Sequence, residues 1–217
     1  MSPSPAKRSP YQSRLRAEQA AATRRLVLDA ATRLFLERGY VGTSIDAIAE
    51  EAGVGRSTVF TAAGGKPWLL KTALDRAIVG DDEPVSFAER PESRKLLAMT
   101  DPAEIVDGYA RVLSDAQQRV SPIYQVVRSA AGVDPEVDEL WGQIGRERLA
   151  GARQIATLLR RKAGLRSGLS VARASDIIWV FNDPGLHHAL VGVRGWRQAK
   201  YRDWLADTMK SQLLRDG

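Results

Sequence analysis

Residues 45–64, IDAIAEEAGVGRSTVFTAAG, decide how the rest of the chain is read. The stretch predicts two short helices separated by a tight turn at Ala52-Gly53-Val54. Ile48, Ala49 and Ala52 share one face of the first helix; Val59 and Ala62, three apart, share a face of the second. Val54 fits the angle between them, Ala49 is small where the helices cross, and Gly53 has the freedom to take a positive φ. This is the layout of a helix-turn-helix, whose second helix enters the major groove of DNA. An ordinary αα-hairpin shares the pattern, so the flanking sequence must separate the two.

Upstream, a helix is expected from about Arg16 to Arg38, with Val27, Ala30, Ala31, Leu34 and Phe35 as its apolar stripe and Gly39 as a left-handed cap. Thr43-Ser44-Ile45-Asp46 has the Ser/Thr-x-x-acid spacing that opens a helix. Thr43 and Ser44 are also placed to meet a phosphate, because a helix N-terminus presents spare N–H groups. Downstream, Gly64-Gly65 ends the second short helix. Pro67 is accepted only in a first turn, so a further helix starts near Lys66 and continues through Leu69, Leu70, Ala73 and Leu74.

The run LDAATRLFLERGYVGTSIDAIAEEAGVGRSTVF, followed by GGKPWLLKTALDRA, resembles the N-terminal domain of the tetracycline-repressor (TetR) family over about residues 24–79. The resemblance implies an all-helical homodimeric repressor whose variable C-terminal domain binds a small molecule. It also implies that Arg56, Ser57, Thr58, Phe60 and Thr61 face DNA, and that Thr43, Ser44 and Lys66 grip phosphate. Three positions depart from the family pattern: Gly55 replaces the usual Ser cap, Phe60 the usual Tyr, and Ala62-Ala63 stand where an aromatic normally precedes the Lys.

Charge is distributed to match. The chain has 32 Lys and Arg against 26 Asp and Glu, a formal net charge of +6. Residues 1–80 hold 12 basic and 7 acidic residues, so +5 of that excess lies in the half that carries the helix-turn-helix. The Pro- and Ser-rich start reads as a disordered basic arm over 1–15, with Lys7, Arg8, Arg14 and the adjoining Arg16 able to follow a phosphate backbone or reach a minor groove, or to remain a solvated tail.

Residues 80–92, GDDEPVSFAERPE, read as a linker to a second domain. Asp101-Pro102, Asp134-Pro135 and Asp183-Pro184 each pair a good cap with a proline at the first helical position, so helices are expected from 102, 135 and 184. Ser121-Pro122 is expected to break or kink the first of these, and Gly164 to end the second. A further helix covers 171–181. Nothing alternates with period two. The expected fold is all-α: a three-helix DNA-binding domain over 16–80 and a larger helical ligand-binding and dimerisation domain over 81–217.

Within that second domain, Tyr109, Tyr124, Gln125, Trp141, Trp179, Asn182 and His187, with His188, are the groups best suited to mix apolar walls with hydrogen bonds around a ligand; plain core filling is the other reading. Gly108, Gly142, Gly145 and Gly151 lie inside predicted helices and mark close approach, space for a ligand, or slack. Tyr201, Trp204, Leu205, Thr208, Met209 and Leu213 form a stripe on the last helix. Together with the 171–181 helix, that stripe is expected to pack on a second copy of the chain as a four-helix interface; burial within its own domain is the other reading.

Other classes of function find little support. Gly64-Gly65-Lys66 is no phosphate loop, since Phe60 stands where the first glycine is needed and Pro67 where a Ser or Thr would bind magnesium. His187 and His188 point about 100° apart on a helix and do not share a metal. The chain has no cysteine and no nucleophile elbow, and no catalysis, metal or cofactor is expected. IIWVF at 177–181 is far too short to span a membrane, and MSPSPAKRSPYQSR lacks the apolar core of a signal peptide; the expected location is the cytoplasm. The expected activity is transcriptional regulation as a homodimer on a palindromic double-stranded operator, with repression relieved by a small-molecule effector. A TetR-like DNA-binding or chromosome-organising protein without an effector is the alternative.

Overall fold

In the computed structural model, which describes residues 10–80 and 91–215, helix α1 spans Pro10–Arg38. It begins six residues before its expected start, so residues 10–15 are helical rather than part of a disordered arm. Pro10 is well suited to a first helical position, and no glycine or further proline interrupts the run before Gly39. Lys7, Arg8 and most of the expected linker lie outside the described residues. The chain forms two compact units, Met1–Ala73 and Leu74–Gly217.

In the first unit α1 packs on α2 (Ile45–Ala52) and α3 (Arg56–Ala63). Val27, Ala30, Ala31, Leu34 and Phe35 are buried, as their spacing requires, together with Ile48, Ala49 and Val59. On α3 the second buried residue is Ala63, one turn from Val59, while the expected Ala62 is half-buried. Gly53 caps α2 at φ 66°, ψ 32°, the left-handed turn that a Cβ disfavours. Helix α4 (Lys66–Val79) follows Gly64, whose φ is positive at 65°, and the boundary between the two units falls inside it.

The second unit contains α5 (Pro91–Ala98), α6 (Pro102–Ala130), α7 (Pro135–Arg161), α8 (Val171–Phe181), the short α9 (Pro184–His187), a π-helical turn over His188–Val193, and α10 (Gln198–Leu213). Three aspartates open their helices as expected: Asp101 accepts from Ala103 N at 2.7 Å, Asp134 from Glu136 N at 3.0 Å and Asp183 from Gly185 N at 2.7 Å. Helix α6 continues unbroken through Pro122, contrary to expectation for a break there. Its long buried face, from Ile105 to Ala130, holds both halves in one helix despite the hydrogen bond that the proline removes. Among the described residues the only strand-like pairing is an isolated bridge between Leu165 and Leu214.

The core of this unit joins α6, α7, α8 and α10 through residues such as Val106, Leu159, Ile178, Leu205 and Met209. Tyr201, Leu205, Met209 and Leu213 of the α10 stripe are completely buried within the chain, and Trp204 is half-buried against Phe181, Tyr201 and Trp196. The stripe therefore packs within its own unit, which corrects the expectation that it packs on a second copy of the chain. The interior glycines divide. Gly108 permits a close approach, since a Cβ there would lie 3.1 Å from Leu96 Cδ1, whereas Gly145 and Gly151 face open space.

The end of α7 departs from the expected stop at Gly164 in an informative way. Gly164 N donates to Leu159 O and Ala163 N to Arg160 O, the two bonds of a Schellman cap, and the left-handed residue is Ala163 at φ 55°. Gly164 serves a different need: a Cβ on it would lie 2.4 Å from Pro102 Cβ. Ala163→Gly should raise stability by about 0.5–1 kcal/mol, the left-handed penalty less the greater freedom of glycine in the unfolded chain. Gly164→Ala should lower it by about 1–3 kcal/mol through overpacking. Thermal midpoints of the two variants check both signs.

Candidate functional site

The helix-turn-helix presents one face outward because its other face is used for burial. With Val59 and Ala63 inside, Arg56, Ser57, Phe60 and Thr61 are exposed and Thr58 is half-buried. Gly55 caps α3 without a side-chain bond. The far end is held by Arg24 of α1, whose Nε donates to Ala62 O at 2.9 Å. Thr61 is turned partly toward its own helix, its hydroxyl donating to Ser57 O at 2.9 Å.

Ser44 is the cap of α2 and accepts from Ala47 N at 3.1 Å, one residue later than the Thr43–Asp46 spacing suggested. Thr43 is correspondingly turned inward. It is 1% exposed, and its hydroxyl donates toward Gly39 O at 2.8 Å and Leu34 O at 3.1 Å. Its side chain is thus engaged in the α1–α2 turn, and of the two only Ser44 carries its hydroxyl at the start of α2. Lys66, at the start of α4, is half-buried with its ammonium 4.1 Å from the centre of the Tyr40 ring.

Arg56 has neighbours that the sequence did not foretell. Its Nη1 donates to Asp46 Oδ2 of α2 at 2.5 Å, and its guanidinium lies over the Phe60 ring at 5.6 Å. A second cross-helix ion pair joins Arg33 of α1 to Glu51 of α2. Pairs ten and eighteen residues apart have no periodic signature.

In the second unit four of the predicted ligand residues gather around one that was not predicted, Arg148 of α7. Its Nη1 donates to the Tyr124 hydroxyl at 3.1 Å, its Nε to Asn182 O at 3.1 Å and its Nη2 to Trp179 O at 2.8 Å. Asp183 Oδ2 is 3.3 Å from Nη1, and the Trp179 ring lies 5.0 Å beneath the guanidinium. The Trp141 ring is 5.0 Å from that of Tyr124. Burial pushes the Tyr124 phenol up to about 12 against the opposing pull of Arg148, and burial also raises Tyr109.

His187 belongs to a separate buried network. Its Nε2 is 2.8 Å from Gln198 Oε1, while Gln198 Nε2 donates to the Ser114 carbonyl and hydroxyl. Gln117 receives the Tyr201 hydroxyl at 2.8 Å and donates to the carbonyls of Phe181 and Asp183. Burial lowers the His187 pKa, so its neutral form is favoured. His188 is exposed and apart. Among the described residues the buried amide nitrogen of Gln125 finds no hydrogen-bond partner. A groove of about 520 Å³ at the turn between α7 and α8 is lined by Arg166, Leu169, Arg173 and Ile177, and none of the predicted ligand residues borders it.

Among the described residues no helix is long and apolar enough to cross a membrane, and no cluster of metal-ligating side chains occurs. No curated protein matches the chain in sequence. Among solved structures, NalD, the secondary repressor of the MexAB-OprM multidrug efflux pump in Pseudomonas aeruginosa, superposes with a TM-score of 0.69 at 20% identity, covering 92% of this chain and 100% of NalD. A Saccharomonospora viridis protein in complex with choline gives 0.67 at 19% identity, covering 90% and 100%. The SmeT–triclosan complex gives 0.66 at 20% identity, covering 90% and 93%. Residues 27–72 match the family model for bacterial regulatory proteins of the tetR family, a span that contains α2, α3 and the start of α4. The chain therefore carries a tetR-family helix-turn-helix domain, continued by an all-helical fold similar to those of the solved regulators.

Proposed function

We propose that the protein is a homodimeric repressor that reads a palindromic operator with α3 and leaves it when a small molecule binds the second unit. The observation that carries the DNA half is the outward face of α3, where Arg56, Ser57, Phe60 and Thr61 stand together while Val59 and Ala63 hold the helix in place. Ser44 and Lys66 flank that face as phosphate contacts. A dimer is favoured because one eight-residue helix reads too few bases for useful specificity, and two-fold symmetry doubles the site.

The effector half draws support from the neighbours solved with choline and with triclosan, and from the polar cluster of Tyr124, Trp141, Trp179 and Asn182 about Arg148. Helix α6, which carries Tyr109, Tyr124 and Gln125, also carries Arg119. That guanidinium donates to Ala77 O at 3.3 Å and Ile78 O at 3.4 Å, on the last turn of α4. A ligand that displaces α6 thus acts on the helix that leads back to the recognition element. It shifts the protein only by its differential affinity for the two states, and near-complete release takes about 5.5 kcal/mol.

Selection of bound DNA from a random pool, followed by a compound screen for its release, tests the whole reading. Arg56→Ala should cost about 1–3 kcal/mol and relax one position of each half-site. Lys66→Ala should weaken all sequences alike and reduce the slope of log affinity against log salt by about 0.9 for each phosphate that the ammonium neutralises. Recovery of no preferred sequence would count against operator recognition, and a preferred sequence that no compound releases would favour a DNA-binding protein without an effector.

A further inference from the structure

The cross-helix contact between Asp46 and Arg56 has a meaning beyond the stability of the helix-turn-helix. The two side chains are largely exposed, at 67% and 58%, so the pair lies on the surface that α3 offers to DNA rather than in the core. Three groups meet there from two helices. Asp46, in the first turn of α2, takes one N–H of Nη1; Phe60, one turn along α3, supports the flat face of the guanidinium. Among the described residues Arg56 makes no other hydrogen bond, so Nε and Nη2 keep their donors. Those two nitrogens form an intact fork of the kind that matches guanine O6 and N7.

We propose that Asp46 is a specificity-determining residue that acts through Arg56. Two consequences follow from its charge and position. First, a long side chain that would otherwise sample many rotamers is held with its fork projecting, so less ordering is required when it meets a base edge. Second, the carboxylate neutralises the guanidinium locally. A phosphate attracts a cation chiefly by charge, so a neutralised pair gains little from sliding onto the backbone. A guanine edge is recognised by donor geometry, which the pair retains in full. Asp46 therefore lowers non-specific affinity while preserving the base contact, and the ratio between the two rises.

This inference rests on the reading of Arg56 as a base contact, and the test separates the two. Operator selection and affinity on specific and scrambled duplexes would be measured for the unaltered protein, Arg56→Ala, Asp46→Ala, Asp46→Asn and the Asp46→Ala/Arg56→Ala double variant, with circular dichroism to confirm that each folds. Arg56→Ala should reduce preference at one base pair of the half-site by about tenfold or more. Asp46→Ala should relax the same base pair, by about threefold, tighten binding to scrambled DNA, and add nothing in the Arg56→Ala background. Asp46→Asn, which keeps an acceptor and loses the charge, should hold more of the base preference than Asp46→Ala while still tightening binding to scrambled DNA. If Arg56→Ala relaxes a base pair but Asp46→Ala leaves it untouched, Asp46 is a bystander and the proposal fails alone. If Asp46→Ala relaxes preference equally in the absence of Arg56, it acts through another contact and the proposal is likewise overturned. If Arg56→Ala changes no preference, the base-reading role itself is lost, and this proposal with it.

Discussion

Replacing Arg148 by Ala should destabilise the second unit by about 3–5 kcal/mol, the range for removing one partner from a buried charged network. The side chain is only 12% exposed, and it supplies hydrogen bonds to a phenol and two main-chain carbonyls as well as the pairing of Asp183. Both carbonyls lie at the end of α8, where the chain stops donating to its own helix and needs an outside partner. Truncation leaves the Tyr124 hydroxyl, Trp179 O and Asn182 O short of a donor and removes the cation above the Trp179 ring. For a protein of this size the loss corresponds to about 10 °C in the melting midpoint. Arg148→Lys should recover little of it, because an ammonium cannot serve three acceptors placed for a planar fork. A midpoint within a degree or two of the unaltered protein would show that water replaces the guanidinium.

Leu205→Glu should leave no folded protein to assay. The residue is fully buried between α6 and α8, so the change removes a core side chain, about 2–5 kcal/mol, and adds an unpaired carboxylate whose burial costs at least as much again. Together these approach the whole stability of an ordinary domain. Val180→Glu makes the opposite case. Val180 is 52% exposed on α8 beside Trp179, at 37%, and this face is the candidate for the dimer contact, since the α10 stripe is already occupied. That variant should fold normally, sediment as a monomer and bind an isolated half-site poorly. A Val180→Glu protein that remains a dimer would remove α8 from the interface.

These two cases show what the sequence could and could not reveal. Local signals carried through: Gly39 and Gly53 take left-handed φ, Gly64 ends α3, and Asp101, Asp134 and Asp183 each cap the helix that their proline begins. Such features depend on a few adjacent residues, so adjacency in sequence suffices to read them. The α10 stripe was legible as an apolar face, but periodicity says that a face is buried and not against what. Thr43 and Ser44 are equivalent as capping residues on paper, and only the geometry of the turn sends the first inward and leaves the second at the helix start. Arg148 carries no signal of its own, because its partners come from 24 to 35 positions away and an arginine on an amphipathic helix looks like any solvated one. The same holds for Asp46 and Arg56, whose meeting depends on the crossing of two helices.

The junction inside α4 bears on how this protein can be recombined with its relatives. Because the boundary between the two units falls between Ala73 and Leu74, within a helix of 14 residues, a splice made there interrupts a helix rather than a loop. Each residue added or removed there shifts the phase of the rest of α4 by about 100° and its length by about 1.5 Å. A seven-residue insertion restores the phase to within about 20° yet lengthens the rod by roughly 10 Å. Working chimeras should therefore exchange α4 residue for residue, joining the parents in helical register.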